Sequence, residues 1–141
     1  MEKIGIIGSG TWGTAIAVLL VNNGHEVTLW SAIPAEIEEM AKTRTHKNLP
    51  GVTLPEGLIY TADLEKAMAD KDLLVMAVPS VFVRSTAQKM KPFCKDGQLI
   101  VDVAKGIEEN TLDTMTQIIK EELPMAETAV LSGPSHAEEV S

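Results

Sequence analysis

The chain has 141 residues, 45% of them hydrophobic, which suffices for one domain with a substantial core. Its 12 Lys and Arg against 20 Asp and Glu give a net charge of −8, which argues against nucleic-acid binding because phosphate backbones require a basic surface. No apolar stretch approaches the ~18–20 residues of a membrane span. Because strand signals begin at residue 3, we expect no signal peptide. The single cysteine, Cys94, cannot form an internal disulfide. We therefore expect a reducing, cytoplasmic location and no metal site.

Strand and helix signals alternate along the whole chain. In chain order they predict a strand at 3–7, a helix at 11–22, a strand at 26–30, a helix from Pro34, a strand at 58–61, a helix near 63–69, a strand at 73–78, a helix capped by Ser80 and reaching about residue 91, a strand at 98–103, a helix at 111–123 and a strand at 127–131. This alternation predicts an α/β fold of the Rossmann type, doubly wound, with a mainly parallel sheet and helices on both faces.

Apolar spacing predicts which face of two helices is buried. The helix from Pro34 has an apolar face of Ile37, Met40 and Ala41 opposite a polar face of Glu36, Glu38 and Glu39. The last helix has Leu112, Met115, Ile118 and Ile119 on its apolar face. A long loop over 43–57 follows the Pro34 helix, and we expect His46 within it to lie on the surface.

The most informative motif directly follows the first strand. It is a G-x-G-x-x-G pattern made of Gly8, Ser9, Gly10, Thr11, Trp12 and Gly13, and all six are candidate coenzyme contacts. Gly8 permits a tight turn, Gly10 lets a pyrophosphate approach the backbone, and Gly13 lets the helix pack against the strand. The backbone N–H groups of Thr11 and Trp12 lie at the positive end of the helix, where phosphate binds. The motif predicts a dinucleotide site.

Ligands of doubly wound sheets bind at the carboxyl ends of the strands, where the strand order reverses. For the order 3-2-1-4-5-6, this point lies between the first and fourth strands. Four segments should meet there: the glycine turn, residues 78–82 with Pro79, the loop 104–106 and the loop 132–135. Lys105 is a candidate for binding an anionic substrate or a nicotinamide carboxamide, with a solvated loop lysine as the alternative.

The residues after the second strand bear on the choice of coenzyme. Enzymes that use NAD place Asp or Glu about twenty residues after the glycines, to bond the ribose 2′-hydroxyl. Here residues 30–33 are Trp-Ser-Ala-Ile, which makes Ser31 and Ala32 candidate contacts. No acid repels a 2′-phosphate and no arginine attracts one. This stretch leaves NAD or NADP open, with a slight preference for NADP.

Several stretches together resemble the bacterial NAD(P)-dependent glycerol-3-phosphate dehydrogenases. They are GSGTWGTA at 8–15, NGHEVTLW at 23–30, NLPGV at 48–52, AVPS at 77–80, KGIE at 105–108 and LSGPSHAEEV at 131–140. The likeness runs over all 141 residues in the family's order. Many members carry His or Arg where this chain has Ala32 and Ile33, which puts the contact to a 2′-phosphate in doubt.

The resemblance implies reversible hydride transfer between NAD(P)H and dihydroxyacetone phosphate, giving sn-glycerol 3-phosphate for phospholipid synthesis. Lys105 matches a lysine shared between coenzyme and substrate, Gly133 and Ser135 match substrate contacts, and Ala137 matches a coenzyme contact. The family's proton-transferring lysine and phosphate-binding arginine lie in a helical C-terminal domain. No catalytic residue is therefore assigned within this chain.

The last residues suggest where the chain stands in a larger protein. Ser135 and Glu138 match the S-x-x-E capping box that opens a helix, and the sequence stops at Ser141. We expect residues 1–141 to be the NAD(P)-binding domain of a longer protein, a fragment without turnover of its own. Any homodimer would form through the absent domain.

Two other functions fit the motifs. One is another hydroxyacid or ketone dehydrogenase of the same layout, which a substrate panel would separate. The other is a non-enzymatic nucleotide-sensing module, whose expected marks are an acid after the second strand and a complete terminal helix. The sequence shows neither mark.

Overall fold

The structure is a computed structural model that describes residues 1–46, 49–104 and 114–130. Its strands are β1 Lys3–Ile7, β2 Glu26–Trp30, β3 Ile59–Thr61, β4 Leu73–Met76, β5 Leu99–Asp102 and β6 Glu127–Val130. Its α-helices are α1 Thr11–Asn22, α2 Pro34–Thr43, α3 Leu64–Met68, α4 Val83–Met90 and α5 Met115–Glu122. Two 3₁₀ turns, Ser80–Phe82 and Lys91–Phe93, flank α4. The predicted alternation of strands and helices is confirmed.

The six strands form one sheet in the order β3-β2-β1-β4-β5-β6, and every pair is parallel. The register brings the carboxyl ends of the central strands level, because Ile7 pairs with both Trp30 and Met76, and Met76 pairs with Asp102. The loops that follow these strands therefore open at one edge of the sheet. The strand order reverses between β1 and β4, as predicted.

Helices cover both faces of the sheet, so the doubly wound prediction is confirmed. On one face, α1 and α2 bury Ile16, Ile37 and Met40 against Ile4, Ile6 and Leu29. On the other face, α3, α4 and α5 bury Met68, Ala87, Ile118 and Ile119 against Leu74 and Ile100. No helix in the described part of the chain is both long and apolar enough to cross a membrane.

Some local predictions are wrong. Ala41 is exposed, whereas Ile37 and Met40 are buried as predicted. Ser80 caps no helix through its side chain, because the chain first makes the 3₁₀ turn, closed by the Phe82 N–H donating to the Pro79 carbonyl at 2.8 Å. The helix predicted from residue 111 begins instead at Met115, and Leu112 lies outside the described residues.

A capping box sets the start of α5. The backbone N–H of Gln117 donates to the Thr114 hydroxyl at 3.2 Å, and the Thr114 N–H donates to the Gln117 side chain at 2.8 Å. This reciprocal pair satisfies two backbone donors that the helix cannot, so α5 begins immediately after Thr114.

The long loop after α2 packs on α1 instead of extending into solvent. Leu49 lies against Ala15, and Leu54 is fully buried in the core beneath α1 and α2. The loop therefore covers the start of α1, next to the glycine turn.

Candidate coenzyme site

The glycine turn connects β1 to α1 at the carboxyl edge of the sheet. Gly8 has φ +126°, and its N–H donates to the Trp30 carbonyl at 3.1 Å. A Cβ at Gly8 would lie 2.7 Å from the carbonyl carbon of Ala77 and from the nitrogen of Val78. Both the backbone conformation and the closeness of the chain after β4 therefore require glycine here.

Gly13 and Gly10 differ in what a side chain would meet. A Cβ at Gly13 would overlap the carbonyl oxygen of Gly8 and come within 3.2 Å of Ala77 Cβ, so glycine brings α1 close to the sheet. A Cβ at Gly10 would meet no atom within 4 Å. Gly10 is also the N-cap of α1, and no side chain caps it. The first N–H groups of α1 thus begin beside open space.

Three side chains hold Ser9, the residue between the first two glycines. Its carbonyl accepts from Thr14 Oγ1 at 3.0 Å and from His46 Nε2 at 2.9 Å, which requires a proton on that nitrogen. Its hydroxyl donates to Glu36 Oε1 at 3.0 Å. With its carbonyl and hydroxyl both bonded, Ser9 fixes the conformation of the turn.

Two of these partners correct the predictions. His46 is only 6% exposed, because the loop after α2 folds back over α1 and carries the imidazole to the turn. Glu36 is half-buried instead of fully on the polar face, since the first turn of α2 points it at Ser9.

A cavity of about 390 Å³ opens between the glycine turn, the end of β2 and the start of α4. It is lined by Gly8, Ser9, Gly10, Trp30, Ser31, Ala32, Ile33, Glu36, Val78, Pro79, Phe82, Ser85, Thr86 and Lys89. Ile33 and Phe82 are large apolar side chains that remain 56% and 55% exposed. The cavity has an apolar wall opposite a turn rich in backbone donors.

The structure brings together six of the predicted coenzyme residues: Gly8, Ser9, Gly10, Ser31, Ala32 and Pro79. Thr11, Trp12 and Gly13 lie in the adjoining first turn of α1 and do not line this cavity, and Trp12 packs against the core. Lys105, Gly133, Ser135 and Ala137 lie outside the described residues.

Sequence reasoning missed Glu36, Ser85, Thr86 and Lys89. Phe82 lies within the predicted segment 78–82, and Ile33 ends the stretch 30–33 but was not assigned as a contact. For Glu36 a signal was present, because Pro34 begins the helix and places Glu36 in its first turn, only three residues past Ile33. The residues of α4 gave none, since their approach to β2 depends on how helices pack across the sheet.

A buried carboxyl group lies farther along the same edge, at the end of β5. Asp102 is 1% exposed, and its oxygens accept from the Ala104 N–H at 2.9 Å and from the Thr116 hydroxyl at 3.1 Å. Burial raises the pKa of Asp102, and the two hydrogen bonds oppose this effect. Asp102 thereby ties the chain after β5 to the start of α5.

A second cavity of about 370 Å³ adjoins the first at Glu36 and also involves Glu39, Thr43 and His46. Across the described ranges, no group of three or more His, Cys, Asp or Glu side chains is arranged to hold a metal ion.

The chain is similar to proteins of one family over nearly all of its length. The family model described as the NAD-dependent glycerol-3-phosphate dehydrogenase N-terminus matches residues 3–141. The chain belongs to this family. A glycerol-3-phosphate dehydrogenase (NAD(P)+) of Agathobacter rectalis is 55% identical over 141 residues, which is 99% of this chain and 42% of that protein.

Solved structures of glycerol-3-phosphate dehydrogenases share the fold. That of Coxiella burnetii superposes with a TM-score of 0.90 at 31% identity, covering 99% of this chain and 43% of that one. That of Saccharomyces cerevisiae gives 0.83 at 30% identity, covering 99% and 44%. The chain thus spans less than half the length of these glycerol-3-phosphate dehydrogenases.

Proposed function

We propose that residues 1–141 form the coenzyme-binding half of an NAD(P)-dependent glycerol-3-phosphate dehydrogenase. The observation that carries the proposal is Gly10, where a side chain would project into open space at the uncapped N-terminus of α1. A turn that keeps this space clear fits a diphosphate, because backbone N–H groups and the helix dipole both favour an anion there.

The cavity also fits the rest of a dinucleotide. Ile33 and Phe82 offer exposed apolar surface on which an adenine ring can lie, and Ser9 and Glu36 offer polar atoms to the adjoining ribose. The nicotinamide end would extend along the sheet edge past β4, where Pro79 follows the strand. When bound, the coenzyme supplies or accepts a hydride.

Membership of the family supports a substrate and a reaction. We propose reversible interconversion of dihydroxyacetone phosphate and sn-glycerol 3-phosphate, with Lys105, Gly133 and Ser135 contacting the substrate and Ala137 the coenzyme. Ketone reduction also needs a proton donor at the carbonyl oxygen. We assign that role to a lysine beyond residue 141, so the 141-residue chain should bind coenzyme without turnover.

A graded series at Gly10 tests the coenzyme site. Nothing lies within 4 Å of the added Cβ, so Gly10→Ala and Gly10→Val should both fold, at a cost of about 1 kcal/mol for a poorer N-cap. Coenzyme binding, followed by NADH and NADPH fluorescence, should weaken with alanine and disappear with valine. Circular dichroism of each variant serves as the folding control.

Two results would contradict the proposal. Unchanged coenzyme affinity in folded Gly10→Val would show that the diphosphate does not bind at this turn. Tight ATP binding without any dinucleotide binding would favour a nucleotide sensor. The substrate is tested on a longer chain that includes the C-terminal domain. Faster turnover of a non-phosphorylated keto acid than of dihydroxyacetone phosphate would indicate a different dehydrogenase.

A further inference from the structure

We infer that Glu36 makes this domain select NAD(H) over NADP(H), because its carboxylate lies beside Ser9 where the 2′-oxygen of the adenosine ribose would bind. The inference rests on the proposed coenzyme site and adds to it a choice between the two coenzymes. It runs against the slight preference for NADP drawn from residues 30–33, which contain no acid.

The position of Glu36 follows from how α2 begins. Pro34 is the first residue of the helix, and Glu36 is the acid in its first turn, where the helix dipole favours a negative charge. Glu36 Oε1 accepts from the Ser9 hydroxyl at 3.0 Å. In the hydrogen bonds among the described residues, Oε2 is unused, which leaves an acceptor at the cavity.

The order of groups along a dinucleotide places its adenosine ribose at this acceptor. Ser9 directly precedes Gly10, where the diphosphate would approach the backbone, and the adenosine ribose is the next group along the coenzyme. Ile33, which would contact the adenine beyond it, lines the same cavity as Glu36. The ribose thus falls between the turn and the apolar wall, in contact with the carboxylate.

A carboxylate at this point treats the two coenzymes differently. The ribose 2′-hydroxyl of NAD donates to it, and a hydrogen bond to a charged acceptor is stronger than a neutral one. The 2′-phosphate of NADP is an anion that can only accept and that would be repelled. Selectivity therefore comes from attraction of one coenzyme and repulsion of the other.

The cations near the cavity do not cancel this charge. Lys89 is the one cation among the described lining residues, and it stands on α4 with Ser85 and Thr86, across from the glycine turn. Arg44, at the end of α2, donates from Nε to the Leu54 carbonyl and pairs with Glu56 at 3.6 Å.

The experiment measures dissociation constants of the 141-residue chain for NADH and NADPH, and for 5′-AMP and adenosine 2′,5′-bisphosphate as competitors. We expect NADH to bind at least about tenfold more tightly than NADPH. Glu36→Gln keeps an acceptor for Ser9 while removing the charge. It should bring the NADH and NADPH dissociation constants to within about threefold of each other, mainly by tighter NADPH binding. The dissociation constants of 5′-AMP and adenosine 2′,5′-bisphosphate should converge in the same way.

Two variants control for charge in general. Glu38→Gln removes the same charge from an exposed position of α2 that lines neither cavity, so its NADH to NADPH ratio should equal that of the parent. Lys89→Gln removes the cation found among the described lining residues, so it should raise or preserve the parent's preference for NADH and should not lower it. The repulsion should weaken with added salt, which lowers the parent's ratio but not that of Glu36→Gln.

Several results would overturn the inference. Equal affinities in the parent, or a ratio unchanged in folded Glu36→Gln, would show that the carboxylate does not face the 2′-position while leaving the coenzyme site in place. If the ratio of NADH to NADPH affinity changes in Lys89→Gln but not in Glu36→Gln, Lys89 on α4 and not Glu36 selects the coenzyme. Binding of neither coenzyme would reject the proposed site itself and the inference with it.

Discussion

Replacing Gly13 by alanine adds one methyl group where α1 lies directly against Gly8, the residue after β1. The new Cβ would overlap the carbonyl oxygen of Gly8 and would crowd the Cβ of Ala77 at 3.2 Å. A backbone oxygen cannot rotate away as a side chain can, so α1 must move off the sheet. Overpacking of this kind costs about 3 kcal/mol. Alanine within a helix recovers about 1 kcal/mol relative to glycine, leaving a net loss of about 2 kcal/mol.

Urea unfolding followed by circular dichroism measures this loss, and a thermal scan should show a midpoint lower by roughly 5–10 °C. Gly57→Ala is the matched control, because its added Cβ would meet only Val21 Cγ1, at an ordinary 3.4 Å, on an exposed loop. It should change stability by no more than about 0.5 kcal/mol. Should Gly13→Ala prove as stable as Gly57→Ala, α1 is not held against the turn as described.

Asp102 and His46 provide two further tests. Burial raises the pKa of Asp102, so the folded chain holds its proton more tightly than the unfolded chain does. The contribution of Asp102 to the free energy of unfolding therefore falls as pH rises from the unfolded pKa to the folded pKa. Asp102→Asn can still accept from Ala104 and bond Thr116, so urea unfolding should show it at least as stable as the parent at neutral pH. That advantage should vanish in mild acid. If the difference in free energy of unfolding between the variant and the parent stays constant across pH, it does not come from the charge of Asp102. His46→Ala removes a support of the Ser9 carbonyl and should weaken NADH binding severalfold in a fluorescence titration. Unchanged binding would mean that Thr14 holds the turn alone.

The glycine motif shows how far local sequence reasoning extends into the site. The predicted bounds of β1, α1 and β2 are confirmed, because an apolar strand, a G-x-G-x-x-G turn and an apolar helix are each encoded within a few residues. The need for glycine at Gly13 was also predictable, since the atom that its Cβ would overlap belongs to Gly8 in the same β1–α1 unit. At Gly8 the positive φ is local, whereas the close approach of Ala77 and Val78 depends on how β4 pairs with β1. The contact of each residue with a coenzyme stays a prediction.

The surroundings of Ser9 could not be predicted in this way. Glu36 and His46 reach it from 27 and 37 residues away. His46 looked like an ordinary loop residue, and the position of Glu36 in the first turn of α2 did not identify Ser9 as its partner. Their positions depend on two packing events: α2 packs next to β3 at the edge of the sheet, and the following loop covers α1. Neither event leaves a periodic signal in the residues concerned.

The sequence by itself determined the alternation of strands and helices, the parallel sheet and the glycine turn, because apolar periodicity and glycine act over short stretches of chain. Only the tertiary structure decided which charged and polar side chains surround that turn. Hydrogen bonds such as those of Ser9 join residues that are distant in the chain, and they exist only once the sheet and helices have brought those residues within about 3 Å.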